Sequence, residues 1–514
     1  MKLSINKKSA YLGSFIILLG ALLRMLYLSK KDLWFDEIYT IMIADQAPRM
    51  SCAPLYYLLM NVWIKAFGFS AYALRLPSAI FSIASLGILL LLGKKLFDKK
   101  TALLALLLSA INPFYIWYAQ EARNYSMLLF LSLASCYCLY SYVQNPKRSW
   151  FISYILITIA AIYTSYFFIL MAVLHILYVF IFYKPFKYKV LVIFPILMFI
   201  PWIPLFWKKF YMVSNQIFWL PPPSPNDLGN TLGTIINGYS GIKLTYSFSN
   251  ILLLIILVFF LIKILVLKKG REKQALIFCV LLSIVPVILL YFFSIYLFPV
   301  YLDRYLLLFT PYFYLLIAWT IHKLRFVYLK YALILGLGSC MLISNIRYAD
   351  NIVCSDPSRR IGVHQKKPSA PVAAFLKQAL HRGDCMIFAN NYTFLQIGYY
   401  YRDPKSIFEK IKPHFYYALD PDLNNPHVNT SNKKIYDYEY YEKMGIILLK
   451  DSLPLLLQDA KKNIFFIGND FSRSGNLDEN SMSIKKYLDA YSSIRFKDMV
   501  SYDGINIYIY QKIH

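Results

Sequence analysis

Residues 10–37 read AYLGSFIILLGALLRMLYLSKKDLWFDE, and this stretch decides the class of the chain. The run from 10 to 29 is apolar and long enough to cross a bilayer as a helix, which takes about 20 such residues. A short basic segment follows it, and the carboxylates Asp36 and Glu37 come next. Acidic side chains at the end of a membrane helix are costly and usually serve a function. The stretch therefore predicts a membrane anchor followed by a candidate catalytic site.

The composition extends this prediction to the whole chain. Hydrophobic residues make up 58% of the 514, charged residues 16%, and the mean hydropathy is +0.48, which is too apolar for a soluble protein of this length. The net charge of +27 would favour a nucleic-acid partner in a soluble chain. Because the excess lies in short loops and forms no basic stripe with interleaved aromatic residues, we expect no nucleic-acid partner.

The apolar runs predict a multi-pass α-helical membrane module with about eleven transmembrane helices. The candidate runs are 10–29, 72–93, 101–117, 124–143, 150–164, 165–183, 188–206, 248–267, 274–297, 304–321 and 327–345. The first run could also be part of a signal peptide, since lysines precede it. Arg24 inside the run and the lack of a small-residue cleavage site favour a retained anchor.

The basic residues also predict the orientation of the chain. Lysine and arginine concentrate in every second connection between the runs, beginning with the N-terminal segment. Because cytoplasmic loops carry such an excess, we expect a cytoplasmic N-terminus in a cell membrane. The loops that then face outward include 30–71, 118–123, 207–247 and 298–303.

The sequence changes character after about residue 346, where long apolar runs end. Strand-like segments occur at 385–389, 463–467 and 505–510, and helical periodicity occurs at 371–380, 452–461 and 481–490. We therefore predict two domains: a membrane module over 1–346, with an interfacial helix in its first outer loop 30–71, and an extracytoplasmic α/β domain over 347–514.

A second acidic spot, Tyr118-Ala-Gln-Glu-Ala-Arg-Asn-Tyr125, repeats the pattern of the first. It contains Glu121 and Arg123 between two predicted membrane helices. With the orientation given above, this spot and the Asp36–Glu37 pair both face outward. We interpret them as parts of one site on that side.

Four motifs in order carry a resemblance to a known family. They are Leu33-Trp-Phe-Asp-Glu-Ile-Tyr-Thr40, Ala53-Pro-Leu-Tyr-Tyr57, Ala73-Leu-Arg-Leu-Pro-Ser78 and Asn112-Pro-Phe-Tyr-Ile-Trp-Tyr-Ala-Gln-Glu-Ala-Arg-Asn-Tyr125. Together they resemble the bacterial members of glycosyltransferase family 39, relatives of protein O-mannosyltransferases and of the aminoarabinose transferase of lipid A. The resemblance covers about the first 180 residues well. Asp303-Arg-Tyr305 further resembles the family's Arg-Tyr at the start of a late helix.

The resemblance implies a membrane enzyme of the GT-C architecture. Such enzymes move a sugar from a polyprenyl-phosphate donor to an acceptor on a protein, lipid or glycan outside the cytoplasm, with inversion at the anomeric carbon. On this basis Asp36 is the general base, and Glu37 orients the loop or the acceptor. Glu121 assists Asp36 or the acceptor. The alternatives are structural: both carboxylates of the first pair cap the interfacial helix or bind Lys30 or Lys31, and Glu121 forms a salt bridge with Arg123.

The donor phosphate requires cations, because the leaving group gains negative charge. Arg304 and Arg123 are the candidates that the resemblance favours, and Tyr56 and Tyr57 are candidates for lining the donor groove. Relatives usually carry a His or Lys just before the proline motif, whereas this chain has Ser51-Cys-Ala-Pro54 there, so Arg49 is the candidate substitute. Arg75, within Leu-Arg-Leu-Pro-Ser, we interpret as structural.

No cofactor is expected, because this branch of the GT-C enzymes is taken to work without a metal. An oxygen-rich divalent site formed by Asp36, Glu37 and Glu121 is the alternative. Three other functions stay open at this point. A polysaccharide polymerase or ligase shares the many helices and the outer loops. A secondary transporter would require internal repeats, which are not visible. A non-enzymatic receptor would leave both acidic motifs unexplained.

Overall fold

The computed structural model of the chain describes residues 7–46, 53–214, 220–268, 270–354, 366–381, 384–388, 391–401, 415–418, 447–449, 463–469, 479–502 and 505–513. By packing, the chain divides into two compact units. The first contains the described residues up to 28, from 43 to 214 and from 220 to 354. The second contains residues 29–42 and the described residues from 366 onward.

Helices dominate the part of the chain before residue 350. They are α1 Lys7–Met25, α2 Phe35–Gln46, α3 Leu55–Phe67, α4 Ala71–Leu96, α5 Lys99–Ala110, α6 Pro113–Ala119, α7 Tyr125–Gln144, α8 Arg148–Thr164, α9 Phe168–Phe182, α10 Phe186–Leu197, α11 Ile203–Ser214, α12 Asp227–Asn237, α13 Lys243–Val266, α14 Arg271–Tyr296, α15 Asp303–Leu306, α16 Thr310–Lys323 and α17 Val327–Ala349. Short 3₁₀ turns precede α11 and α16.

Seven of the described helical segments are long and apolar enough to cross a membrane, and an eighth results if the bent pair α5–α6 counts as one span. The seven are Ala71–Leu96, Tyr125–Gln144, Phe186–Trp207, Lys243–Val266, Arg271–Tyr296, Asp303–Lys323 and Val327–Ala349. Three other predicted spans form shorter apolar helices, Ala10–Met25, Arg148–Thr164 and Phe168–Phe182. The predicted multi-pass helical membrane fold is confirmed, and each predicted run contains at least one helix, although seven or eight described segments, rather than about eleven, are long and apolar enough to span.

The break between α5 and α6 has a local cause. The two helices are bent by 59°, and Pro113 at the start of α6 has no N–H to continue α5. Asn112 caps α6 by accepting the Tyr115 backbone N–H at 2.9 Å, and its amide donates to the Ile235 carbonyl at 2.9 Å. The bend therefore arises from an Asn-Pro pair that begins a new helix.

Arg24 joins three helices inside the apolar bundle. Its guanidinium donates to the Gly20 and Ala110 carbonyls at 2.9 Å, to the Ser109 carbonyl at 3.1 Å and to the Ser82 hydroxyl at 2.8 Å. Ser109 and Ala110 end α5, where carbonyls lack helical partners. A fully buried arginine thus satisfies the end of a neighbouring helix.

The second unit has an α/β fold, as predicted. Its helices are α18 Ser369–Ala379, α19 Asn391–Tyr401 and α20 Glu479–Ala490, and its strands are β1 Cys385–Phe388, β2 Phe415–Ala418, β3 Ile447–Leu449, β4 Asn463–Asn469, β5 Ile494–Tyr502 and β6 Ile505–Lys512. They form one sheet in the order β3-β2-β1-β4-β6-β5. The first four strands pair in parallel, and β6 pairs antiparallel with β4 and β5. The predicted helix at 452–461 lies outside the described residues.

The segment 29–42 contributes to the core of this second unit. Met42 is buried in a cluster with Val372 and Leu376 of α18 and Phe388 of β1, and Phe35 packs against the same cluster. Burial of such side chains stabilises a fold by roughly 1.5–3 kcal/mol each. The start of α2 therefore belongs to the packing of the α/β unit, although it is far from that unit in sequence.

Replacing Arg24 with Leu should lower the thermal unfolding midpoint of the purified chain. The carbonyls of Ser109 and Ala110 would lose their donor, and each unsatisfied buried group costs about 1–3 kcal/mol. Arg148 is exposed at the start of α8, so Arg148→Leu is the matched control and should change the midpoint little. Equal midpoints for the two variants would contradict the role given to Arg24.

Candidate active site

The start of α2 carries Asp36 in its first turn. The helix begins directly after Trp34, whose carbonyl accepts the Glu37 backbone N–H at 3.0 Å. The Asp36 carbonyl accepts the Thr40 hydroxyl at 3.0 Å. The Asp36 side chain is half-buried, and the positive end of the helix dipole favours negative charge at this place. The fold therefore presents at Asp36 a carboxylate that is still reached by solvent.

Glu37 lies in a different environment. Its side chain is fully buried, and Oε2 accepts both the Trp34 backbone N–H and the Lys366 ammonium at 3.3 Å. The Lys366 side chain is only 2% exposed. The first contact is one half of a capping box, in which the third helical residue caps the residue before the helix. Glu37 is thus a structural partner of Lys366 and of the helix start.

Two further contacts hold the segment before α2. An Asp32 carboxylate oxygen accepts the Ala370 backbone N–H at 2.8 Å, in the first turn of α18. The Leu33 backbone N–H donates to the Tyr400 hydroxyl at 2.7 Å, on α19. With the Glu37 ion pair, these contacts fix both sides of Trp34. The position of Asp36 is therefore set by the α/β unit.

In the first unit, the turn between α6 and α7 carries Glu121 and Arg123. Glu121 is 2% exposed, and its Oε1 accepts the Trp117 indole N–H at 2.8 Å. The preceding residue, Gln120, donates from Nε2 to three carbonyls near the end of α1, those of Leu23, Arg24 and Leu26, at 2.8–3.2 Å. The turn is therefore held by the side-chain hydrogen bonds of Gln120 and Glu121.

Arg304 lies in the first turn of α15 and is 7% exposed. Its guanidinium carbon is 5.6 Å from the centroid of the Tyr305 ring, which stacks on Phe167 at 4.3 Å. The neighbouring Asp303 carboxylate accepts the Thr231 hydroxyl at 2.6 Å. A partly dry guanidinium held over an aromatic ring is suited to binding an anion.

Tyr239 links these charged residues. Its hydroxyl shares a hydrogen bond with that of Tyr118 at 2.8 Å. Burial raises the pKa of Tyr239 well above its usual range, nearby Asp303 and Glu121 raise this pKa further, and Arg304 opposes them. The phenol is therefore neutral.

Tyr56 and Tyr57 lie on α3, close to the same turn. Their rings meet edge to face, with centroids 5.6 Å apart. The Tyr56 hydroxyl lies 3.5 Å from the Ser78 hydroxyl, which donates to the Arg123 carbonyl at 3.1 Å. Arg123 places its guanidinium carbon 5.8 Å from the centroid of the Tyr125 ring.

The residues predicted from the sequence thus fall into two groups, each within one unit. Glu121, Arg123 and Arg304 lie with the two tyrosines in the first unit, whereas Asp36 and Glu37 lie in the second. Arg49, the third candidate for the donor phosphate, is outside the described residues. Arg75 is structural, as predicted: it is 1% exposed and donates to the Leu28 carbonyl at 2.8 Å.

Sequence reasoning missed Lys366 and Tyr239. Lys366 lies 329 positions from Glu37, and no local pattern identifies such a partner. Tyr239 had a usable signal, because it follows Asn237-Gly238, a turn dipeptide. Gly238 has a φ of +59°, and a Cβ there would lie 3.1 Å from the Pro113 carbonyl carbon. Glycine thus allows the turn that carries Tyr239 to approach the start of α6 closely.

For a metal, the described residues offer no group of three or more His, Cys, Asp or Glu side chains placed to hold an ion. Glu37 is engaged with Lys366, and Glu121 with Trp117. The alternative of a divalent site therefore finds no support in these contacts.

Comparisons with known proteins agree with the fold. Residues 51–207 match the family model described as dolichyl-phosphate-mannose-protein mannosyltransferase. No curated protein matches the chain. ArnT from Cupriavidus metallidurans in the apo state has a similar structure, with a TM-score of 0.62 and 10% identity over 97% of each chain.

Two further structures are similar. ArnT from the same organism bound to undecaprenyl phosphate gives a TM-score of 0.58 at 11% identity, over 96% of this chain and 97% of that one. An Archaeoglobus fulgidus oligosaccharyltransferase tethered with an acceptor peptide gives 0.50 at 10% identity, over 90% of this chain and 70% of that one. The predicted GT-C fold and the resemblance to this group of glycosyltransferases are confirmed.

Replacing Lys366 with Met should destabilise the α/β unit, because the buried Glu37 carboxylate would lose its partner. Breaking such a pair costs roughly 3–5 kcal/mol. The double variant with Glu37→Gln should recover much of the loss. Thermal unfolding and amide hydrogen exchange of α18 measure both effects.

The pair of Lys485 and Asp489, which solvent reaches, supplies the control. Because an exposed pair contributes about 0–1 kcal/mol, Lys485→Met should change the unfolding midpoint little. A Lys366→Met variant as stable as Lys485→Met would mean that the buried pair does not hold the unit.

Proposed function

We propose that this chain, which has the GT-C fold and the mannosyltransferase family signature, transfers a sugar from a polyprenyl-phosphate donor to an acceptor hydroxyl or phosphate on the outer side of the membrane. The observation that carries the proposal is the family match over residues 51–207, because that segment supplies Glu121 and Arg123. The similar fold of ArnT, one of whose structures contains undecaprenyl phosphate, supports the choice of donor class.

Asp36 is the proposed general base. It removes the proton of the acceptor hydroxyl as that oxygen attacks the anomeric carbon, and the bond from this carbon to the phosphate oxygen breaks with inversion. The half-buried state of Asp36 supports this role, since a base has to reach its substrate. Glu37 is fully buried and paired with Lys366, which supports a positioning role for it.

Arg304 is the proposed main ligand of the donor phosphate, with Arg123 as the second. The phosphate leaves with the bonding electrons and gains charge, and a preorganised guanidinium stabilises it. Burial of Arg304 above Tyr305 supports this assignment, because charge interactions are stronger in a partly dry site. Glu121 would orient these groups, and Tyr56 and Tyr57 would line the groove for the lipid tail.

The proposed location is the cell membrane, with the N-terminus in the cytoplasm and the α/β unit outside. The alternation of basic loops supports this orientation. A protein, lipid or glycan is the proposed acceptor.

Replacing Asp36 with Asn should abolish sugar transfer, because the amide cannot take the proton. Loss of a general base lowers the rate by roughly 10²–10⁴-fold. The measurement is mass spectrometry of surface glycans, glycoproteins and lipids from a deletion strain that carries each variant. Asp498 is exposed on β5 in the same unit, so Asp498→Asn is the control. Full transfer by a normally expressed Asp36→Asn enzyme would refute the assignment.

Replacing Arg304 with Met should weaken the binding of undecaprenyl phosphate by roughly 10–100-fold, the range for a lost charge-assisted hydrogen bond. Arg304→Lys should retain part of the affinity, because it keeps the charge without the planar fork. Arg325 is exposed, and Arg325→Met is the control. Titration of the lipid into nanodisc-embedded protein measures the affinity, and an unchanged value for Arg304→Met would remove Arg304 from the donor site.

A further inference from the structure

Two buried polar groups of the second unit have no hydrogen-bond partner among its described residues: the indole N–H of Trp34 and the hydroxyl of Ser369. Trp34 is 9% exposed and Ser369 is 0% exposed. An unsatisfied buried polar group costs about 1–3 kcal/mol, and native structures contain few of them. Each of these two groups therefore calls for an explanation.

Both groups lie at the same junction of the fold. Trp34 directly precedes α2, and Ser369 is the first residue of α18. The two segments are connected on one side by the contact of Asp32 with the Ala370 N–H at 2.8 Å, and on the other by the Glu37–Lys366 pair. In sequence, Trp34 lies between Asp32 and Glu37, and Ser369 lies between Lys366 and Ala370.

The chemistry at this junction favours an uncharged, hydroxyl-rich ligand. The indole N–H can only donate, whereas the serine hydroxyl can donate and accept. Both groups are neutral. The Lys366 charge is already balanced by Glu37 in a buried pair. The positive ends of the two helices are already met by carboxylates, α2 by Asp36 and Glu37 and α18 by Asp32. An added anion would therefore find little uncompensated positive charge. Sugar hydroxyls, which accept and donate, match both groups.

We propose that Trp34 and Ser369 form a subsite for the ring hydroxyls of the acceptor sugar. The inference rests on the proposed function, and it narrows the acceptor to a glycosylated molecule. Trp34 stands two residues before Asp36, the proposed base, so a sugar held by the indole N–H has its hydroxyls near the group that takes the proton. The subsite positions the acceptor and takes no part in bond breaking.

Saturation-transfer NMR on the full chain in lipid nanodiscs tests the subsite without turnover. The probes are the methyl glycosides of mannose, glucose, galactose, arabinose and N-acetylglucosamine, with inorganic phosphate as the anionic probe. The variants are Trp34→Phe and Ser369→Ala: the second removes only the hydroxyl, whereas the first removes the indole N–H together with part of the ring. Trp63, whose indole donates to the Ala73 carbonyl at 2.8 Å, and Ser501, whose hydroxyl donates to Asn506 at 2.7 Å, supply the controls.

At least one glycoside should give a signal with the wild type and with the controls Trp63→Phe and Ser501→Ala. In Trp34→Phe and Ser369→Ala this signal should fall at least threefold, as expected for about 0.7 kcal/mol or more per lost hydrogen bond. No such difference with any glycoside would overturn the subsite. If the two substitutions weakened only the signal of inorganic phosphate, the site would bind anions and the sugar subsite would be refuted. If mannosyl-phosphoryl-undecaprenol displaced the glycoside and undecaprenyl phosphate did not, the subsite would bind the sugar of the donor. That result would overturn the assignment to the acceptor.

Thermal unfolding without ligand separates this inference from a structural role. Ser369→Ala removes a hydroxyl that has no partner and almost no bulk, so the unfolding midpoint should stay the same, whereas Ser501→Ala loses a hydrogen bond and should unfold earlier. Equal losses in the two variants would show that the Ser369 hydroxyl is used within the protein. Because binding is read directly, its outcome is independent of whether Asp36→Asn abolishes transfer.

Discussion

The bundle depends on satisfying the carbonyls at helix ends in an apolar environment. Within a membrane, water does not supply these hydrogen bonds, so side chains have to do so. Arg24 of α1 donates to the end of α5, and Gln120, after α6, donates to the end of α1. The two contacts fix the turn after Gln120. Because the end of α1 needs the Gln120 amide as a donor, the turn that carries Glu121 and Arg123 is fixed beside it.

A comparable constraint separates the two carboxylates of the Asp-Glu motif. Burial of Glu37 is tolerated because Lys366 and a backbone N–H compensate its charge, and removing either partner would leave a buried charge unpaired. Adjacent residues of a helix point in directions about 100° apart. When Glu37 faces inward, Asp36 therefore faces elsewhere and remains half-exposed. Packing thus decides which member of the motif is available for chemistry.

The sequence predicts the features that depend on local pattern. The apolar runs predict the helices, and Asn112-Pro113 accounts for the bend between α5 and α6. The seven-residue strand β4 is predictable because it contains the apolar run 464–467, whereas β2 and β3, of four and three residues, lack a distinct pattern. Lys366 could not be found, because its role arises only when two segments 329 positions apart meet. Tyr239 belongs between these cases, since Gly238 marks a turn but does not identify its neighbours.

A shared fold at about one-tenth identity follows from the same reasoning. Helices that cross a membrane need apolar surfaces and satisfied ends, and many sequences meet both requirements. Similarity of this kind therefore carries little information about the sugar or the acceptor, which depend on a few polar side chains. Around α2, those side chains are held by the α/β unit through Asp32, Leu33 and Glu37. A change in α18 or α19 would therefore alter the surroundings of Asp36, even though these helices lie more than 300 positions from it in sequence.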